Sequence, residues 1–222
     1  MSSYLFLSTP FRLALFLLLG SMSAISQPTG DTAGVITIPI DTGRSHILWK
    51  GTEMWQSGKH EGTVNLREGY LILNEDHLTG GKFVADMNTI AVTDIPKDDP
   101  VPRRRLRNHL KSEDFFYVEK YPTAIFEITS SELLKADSLK IQGDLSIRDI
   151  TKPVSFIALK KSDSDSTLAF DAAFKIDRFA WNISYQGSYW ERLTSILDNT
   201  FVDADIYITV YLVADFREGS VQ

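Results

Sequence analysis

Ser138-Leu139-Lys140-Ile141-Gln142-Gly143-Asp144-Leu145-Ser146-Ile147 alternates apolar and polar side chains. Leu139, Ile141, Leu145 and Ile147 fall on one side, and Lys140, Gln142, Asp144 and Ser146 on the other. A period of two is that of a strand with one dry and one wet face. Thr167 to Asp177 repeats it, with Leu168, Phe170, Ala172, Phe174 and Ile176 inward and Asp171, Lys175 and Asp177 outward. Ile206, Ile208, Val210 and Leu212 alternate with Tyr207, Thr209 and Tyr211 in the same way.

Less regular strands are expected over 35–40, 45–51, 63–67, 70–74, 80–93, 123–133 and 151–159. Asp41-Thr42-Gly43, Glu68-Gly69, Asn74-Glu75-Asp76 and the polar run 162–166 read as the turns between them. One stretch breaks the period. Pro100-Val101-Pro102 opens Arg103-Arg104-Arg105-Leu106-Arg107-Asn108-His109-Leu110, where Leu106 and Leu110 share a helical face and Pro stands where a helix start tolerates it. A second short helix is expected around 189–197.

Long antiparallel strands joined by short turns make a sandwich or a closed barrel of about eight strands. The inward set mixes Phe with Ala and Gly, as in Gly81-x-Phe83-x-Ala85-x-Met87 and Phe170-x-Ala172-x-Phe174. Such a mixture suits a barrel that holds a small ligand and equally a well-packed solid core. Pattern alone leaves both open.

The 222 residues contain no Cys, which removes disulfides, thiolate metal sites and thiol nucleophiles together. A net charge of −6 argues against a nucleic-acid partner, since a phosphate track needs an excess of Lys and Arg. The first segment reads as an address. Arg12 precedes the apolar run Leu13-Ala14-Leu15-Phe16-Leu17-Leu18-Leu19, and Ala24-Ile25-Ser26 before Gln27 fits a small-x-small cleavage site. The run is far shorter than the ~20 residues a bilayer span needs. The expected organisation is a signal peptide over 1–26, a flexible segment over 27–34 and one barrel domain over 35–217, periplasmic or secreted after cleavage.

Several segments resemble the YceI-like family. They are His109-Leu110-Lys111-Ser112-Glu113-Asp114-Phe115-Phe116, then Lys120-Tyr121-Pro122-Thr123-Ala124-Ile125-Phe126, and Gly143 to Val154 with Arg148-Asp149-Ile150-Thr151-Lys152-Pro153 at its centre. Asp41, Ser45 and Trp49 match the family's opening element, and Asp177-Arg178-Phe179-Ala180-Trp181-Asn182-Ile183 a later one. The chain departs in having Ser45-His46 where many members have His-Ser, and Trp181 where Gly is common. The resemblance implies an all-β, lipocalin-like closed antiparallel barrel with one or two short helices, exported to the periplasm. It further implies a long hydrophobic ligand inside, polyisoprenoid or isoprenoid-quinone-like, bound without covalent chemistry and often by a homodimer.

For such a ligand the expected cavity wall is Trp49, Phe83, Met87, Phe126, Phe156, Phe170 and Phe174; ordinary core packing would use the same letters. His109, Asp114, Phe115, Phe116 and Pro122 form a structural motif, with His109 and Asp114 tying down the helix exit and Pro122 setting an extended start to the next strand. An acid–base enzyme centred on His109 with Glu113 or Asp114 is the catalytic alternative, but no G-x-S-x-G elbow supplies a nucleophile. His46, His60, His77 and His109 form no His-x-His or His-x₃-His pair, so no metal is expected. Arg103, Arg104, Arg105 and Arg107 make one positive run that is either a solvated helix face or a transient contact with anionic headgroups. A dry-cored β-sandwich binding carbohydrate or a protein through Tyr185, Tyr189 and Trp190 is the other binding reading.

Overall fold

Alternation of side chains forces each strand here to bury one face, and the chain satisfies all of them at once by curling a single sheet onto itself. The computed structural model describes residues 34–53, 59–135, 137–164, 166–183 and 202–216. In chain order the elements are β1 (Val35–Pro39), β2 (His46–Glu53), β3 (Lys59–Asn74), β4 (His77–Val92), α1 (Pro100–Lys111), β5 (Thr123–Lys135), β6 (Ser138–Ile147), β7 (Ile150–Ser164), β8 (Thr167–Asp177), a 3-10 turn (Arg178–Trp181) and β9 (Val202–Asp215).

Around the ring the order is β3, β2, β9, β8, β7, β6, β5, β4, and β4 pairs back onto β3. Every pairing is antiparallel. β1 and β2 share one edge of β3: β1 pairs with Tyr70–Asn74, and Ile47–Thr52 of β2 pairs with Lys59–Val64. Ile40 also bridges to Ala214 of β9. The two segments therefore fill one position of a closed eight-stranded barrel, interrupted by a loop at Asp41–Ser45. That loop is held by Asp41 Oδ1, which accepts from Gly43 N and Arg44 N, and by the Asp41–Arg44 ion pair. Beyond it, Ser45 Oγ accepts from Val213 N at 2.9 Å.

The expected turn at Glu68-Gly69 is not one. β3 runs unbroken from Lys59 to Asn74, with Glu68 and Gly69 opposite Val84 and Phe83. The register shifts between Thr63 and Asn65 and again between Leu66 and Glu68. Such bulges bend a strand without ending it, and here they carry β3 from its partner β2 to its partner β1. The helix occupies the expected place. Leu110 is buried against β4, Arg103 Nε donates to Val92 O at 2.9 Å and Lys111 Nζ to Asn88 O at 2.6 Å. Arg104, Arg105 and Arg107 are exposed. The helix expected around 189–197 and the aromatics Tyr185, Tyr189 and Trp190 lie outside the described residues, as do the proposed signal peptide and cleavage site. No helix among the described residues is long and apolar enough to cross a membrane.

The interior falls into three packed groups. At one end Ile38, Leu71, Leu73, Leu78 and Leu168 close the barrel. At the other, α1 covers Val64, Met87, Ile90 and Val92. Beside that group Leu145, Ile147, Ile176 and Ile206 meet Trp181 of the 3-10 turn and Ile183 just after it. Trp49, Phe115, Phe116 and Ala124 touch both groups at the helix end and join them.

Candidate functional site

Between these groups lies a cavity of about 170 Å³, room for on the order of ten water-sized groups. Apart from the indole N–H of Trp49, all of its lining side chains are apolar. The inward positions of β4, β5, β6, β8 and β9 supply most of them, because period-two alternation points every second residue at the lumen. Trp49, Phe83, Met87, Phe126, Phe156, Phe170 and Phe174 all line it.

Four of the phenylalanines form a row across the lumen. Phe83 and Phe126 stack with ring centres 6.3 Å apart, Phe126 and Phe156 are tilted at 5.5 Å, and Phe156 and Phe174 stack at 4.5 Å. The row crosses from β4 to β5, β7 and β8. Two glycines make room for aromatic rings. A Cβ on Gly143 would stand 2.5 Å from Phe126 Cζ and 2.4 Å from Glu127 O; one on Gly62 would stand 2.7 Å from Trp49 Cζ2 and 1.8 Å from Ala91 O.

Aliphatic wall residues were not singled out from the sequence. Ile47, Val64, Leu66, Ile90, Ile141 and Leu145 complete the lining with others of their kind. The alternation that placed the phenylalanines places these too; only the focus on aromatics passed them over.

His109, Asp114, Phe115 and Phe116 are brought together at the helix exit, and Phe116 also lines the cavity. Phe115 meets Phe116 edge-on at 4.9 Å and lies 6.0 Å from the His109 ring. The hydrogen bonds at the helix exit come from other residues: Ser112 Oγ donates to His109 O at 2.8 Å, and Phe116 N donates to Leu110 O at 3.1 Å. Asp114 acts on His109 through charge. Burial lowers the His109 pKa below its ordinary 6.5, and the nearby Asp114 carboxylate opposes the shift. Pro122 is exposed and its carbonyl accepts from Met87 N at 2.9 Å.

Two arginines hold this end together, and neither was assigned a role from the sequence. Arg178 is only 2% exposed; its Nη1 donates to Ile183 O at 2.9 Å and its Nε to Asp203 O at 3.2 Å. Arg148 and Asp149, both at positive φ, form the two-residue β6–β7 hairpin loop, a type I′ geometry. Trp181 is 3% exposed, and its Nε1 donates to Leu145 O at 3.1 Å.

The histidines do not converge. His60 pairs with Asp94 at 2.8 Å, and His46 and His77 are exposed elsewhere. Among the described residues no three His, Cys, Asp or Glu side chains gather into a metal-holding group.

Known proteins share this architecture. The structure of BcnA from Burkholderia cenocepacia superposes with a TM-score of 0.59 over 79% of this chain and 99% of that one, at 16% identity. A polyisoprenoid binding domain from Saccharophagus degradans, implicated in plant cell wall breakdown, gives 0.58 over 80% and 97%, at 11% identity. In sequence, the chain is 31% identical to protein YceI of Escherichia coli O17:K52:H18 over 128 residues, 55% of this chain and 62% of that one. It is 44% identical to a UPF0312 protein of Azotobacter vinelandii over 50 residues, 22% and 26% of the two chains. The chain thus spans from about a quarter to 62% of the length of these curated relatives. The model of the YceI-like domain matches residues 39–214, from the end of β1 to the end of β9, and the chain belongs to that family.

Proposed function

We propose that the barrel holds the hydrocarbon of a prenyl-type lipid and carries or sequesters it in the periplasm, without covalent chemistry. The observation that carries this reading is the lumen wall, apolar but for the indole N–H of Trp49. The polyisoprenoid binding domain with the same fold supports it.

Energetics allow reversible exchange. Against water, a buried chain gains ~0.8 kcal/mol per CH₂. The real competitor is the bilayer, and moving a tail from lipid into an apolar barrel is nearly neutral because lipid tails are as apolar as Leu. At about 170 Å³ the cavity is below the ~300–1,000 Å³ of sites for drug-sized ligands. A long chain therefore enters by turning side chains aside, and Met87, unbranched with three rotatable bonds, is the wall residue best suited to do so.

Native mass spectrometry of protein purified from its own periplasm, with organic extraction, tests the proposal. A stoichiometric adduct of several hundred daltons that extracts as a prenyl lipid is expected. A clean apo mass with no uptake of added prenyl lipids would overturn it in favour of a dry-cored binding module.

A further inference from the structure

Two indoles stand at the helix end of the barrel, and they differ in one respect. Trp181 gives its Nε1–H to Leu145 O. Trp49, whose ring lines the cavity, gives its own to nothing: among the described residues, Trp49 Nε1 is the one buried side-chain polar atom without a hydrogen-bond partner. A buried Trp N–H usually finds a partner, because an unmade bond in a dry site costs the full desolvation of the donor.

The rest of the wall offers no solution. Every other lining side chain is apolar. A water beside Trp49 would find Nε1 and no other polar side chain, whereas a buried water is held by about three partners. The group that satisfies this donor without stranding polar atoms of its own is a single oxygen on an otherwise apolar body.

We propose that Trp49 Nε1–H donates a hydrogen bond to an oxygen of the bound lipid, so that the barrel selects prenyl lipids with a carbonyl or hydroxyl oxygen over the bare hydrocarbon. This rests on the lipid-holding reading above and adds an orientation to it. Trp49 packs with Phe115 and Phe116 at the α1 end, so the oxygen-bearing end lies there and the tail points toward Leu71 and Phe170.

The test compares geranylgeraniol with the matching C20 hydrocarbon, titrated against the full chain. Wild-type protein is expected to bind the alcohol about tenfold more tightly, the worth of roughly one hydrogen bond. Trp49→Phe also removes part of the wall; it should bring the two probes to equal affinity, whatever it does to the affinity for the hydrocarbon. Trp181→Phe, whose N–H is already engaged, should lower stability and keep the preference. An assigned Trp49 indole N–H resonance provides a readout independent of any variant's folding: it should move downfield with the alcohol and not with the hydrocarbon. Equal binding of both probes, with an unmoved resonance, would overturn the role of Trp49 and leave the carrier reading standing. Binding of neither probe would overturn both.

Discussion

Arg148 and Phe115 stand 33 residues apart in sequence and meet through a 2.8 Å hydrogen bond from Nη1 to the Phe115 carbonyl. The same Nη1 donates to Asn182 O at 2.7 Å. One guanidinium thus ties the β6–β7 loop to the exit of α1 and to the exit of the 3-10 turn, the three pieces that close one end of the barrel. Arg148 holds φ at 52° to do this, a conformation that costs a side-chain-bearing residue about 1–2 kcal/mol. Arg148→Ala keeps the strain and loses both bonds, so denaturant unfolding should show a loss of about 1–2 kcal/mol, modest because the group is part-exposed. Arg148→Gly loses the bonds but relieves the strain, and should fall between Ala and wild type. A glycine variant less stable than the alanine one would show that backbone strain is not what this turn stores.

Close approach makes a second prediction. Gly62→Ala drives a Cβ to 1.8 Å from Ala91 O, and Gly143→Ala to 2.4 Å from Glu127 O; at Gly51 nothing lies within 4 Å. Backbone oxygens in a closed sheet cannot retreat. The first two variants should lose about 3 kcal/mol or more, while Gly51→Ala melts close to wild type. Comparable melting of all three would contradict the placement of Trp49 and Phe126 over those glycines.

Burial of His109 makes a pH prediction. Its folded pKa lies below its ordinary 6.5 because burial disfavours the imidazolium, with Asp114 opposing. The unfolded chain therefore takes up the proton first as pH falls, and stability drops from about pH 6.5 downward while staying flat above it. His109→Gln should flatten that segment of the stability profile. One such group can contribute a slope of at most ~1.4 kcal/mol per pH unit. Asp94 acts in a lower window: burial raises its pKa, but the His60 hydrogen bond holds it below 3.8. An unchanged slope between pH 6.5 and 5 in His109→Gln would place the titrating group elsewhere.

Alternation was enough to read which side chains face inward, but not that the interior is hollow. Leu139, Ile141, Leu145 and Ile147 are all buried, because a half-dry strand leaves no other face for them. Glu68-Gly69 misled for a physical reason: Gly after a charged residue marks a turn and a bulge alike, and only the partner strands distinguish the two. The 3-10 turn at Arg178–Trp181 gave no periodic signal, being four residues long. Arg148 and Arg178 look like surface charges in a sequence, since the carbonyls they bind belong to other segments. The unmet N–H of Trp49 is invisible for the same reason, because hydrogen-bond satisfaction is a property of the assembled barrel.

Adjacent alanines on β8 give the sharpest test of where the ligand sits. Ala172 lines the cavity, whereas Ala173 faces outward and is exposed. Ala172→Phe adds a phenyl ring inside a cavity of about 170 Å³, removing much of the space a chain could use. Ala173→Phe adds the same ring to solvent. If the lipid lies in the lumen, uptake of geranylgeraniol should fall about tenfold or more in Ala172→Phe and stay unchanged in Ala173→Phe, since each ~1.4 kcal/mol of lost burial is tenfold in affinity. Overpacking costs about 1–3 kcal/mol, so thermal melts must show Ala172→Phe still folded; Ala172→Leu repeats the test with a smaller insertion. Full uptake by a folded Ala172→Phe would mean that lipid binds outside the barrel, and the phenylalanine row would then be core packing alone.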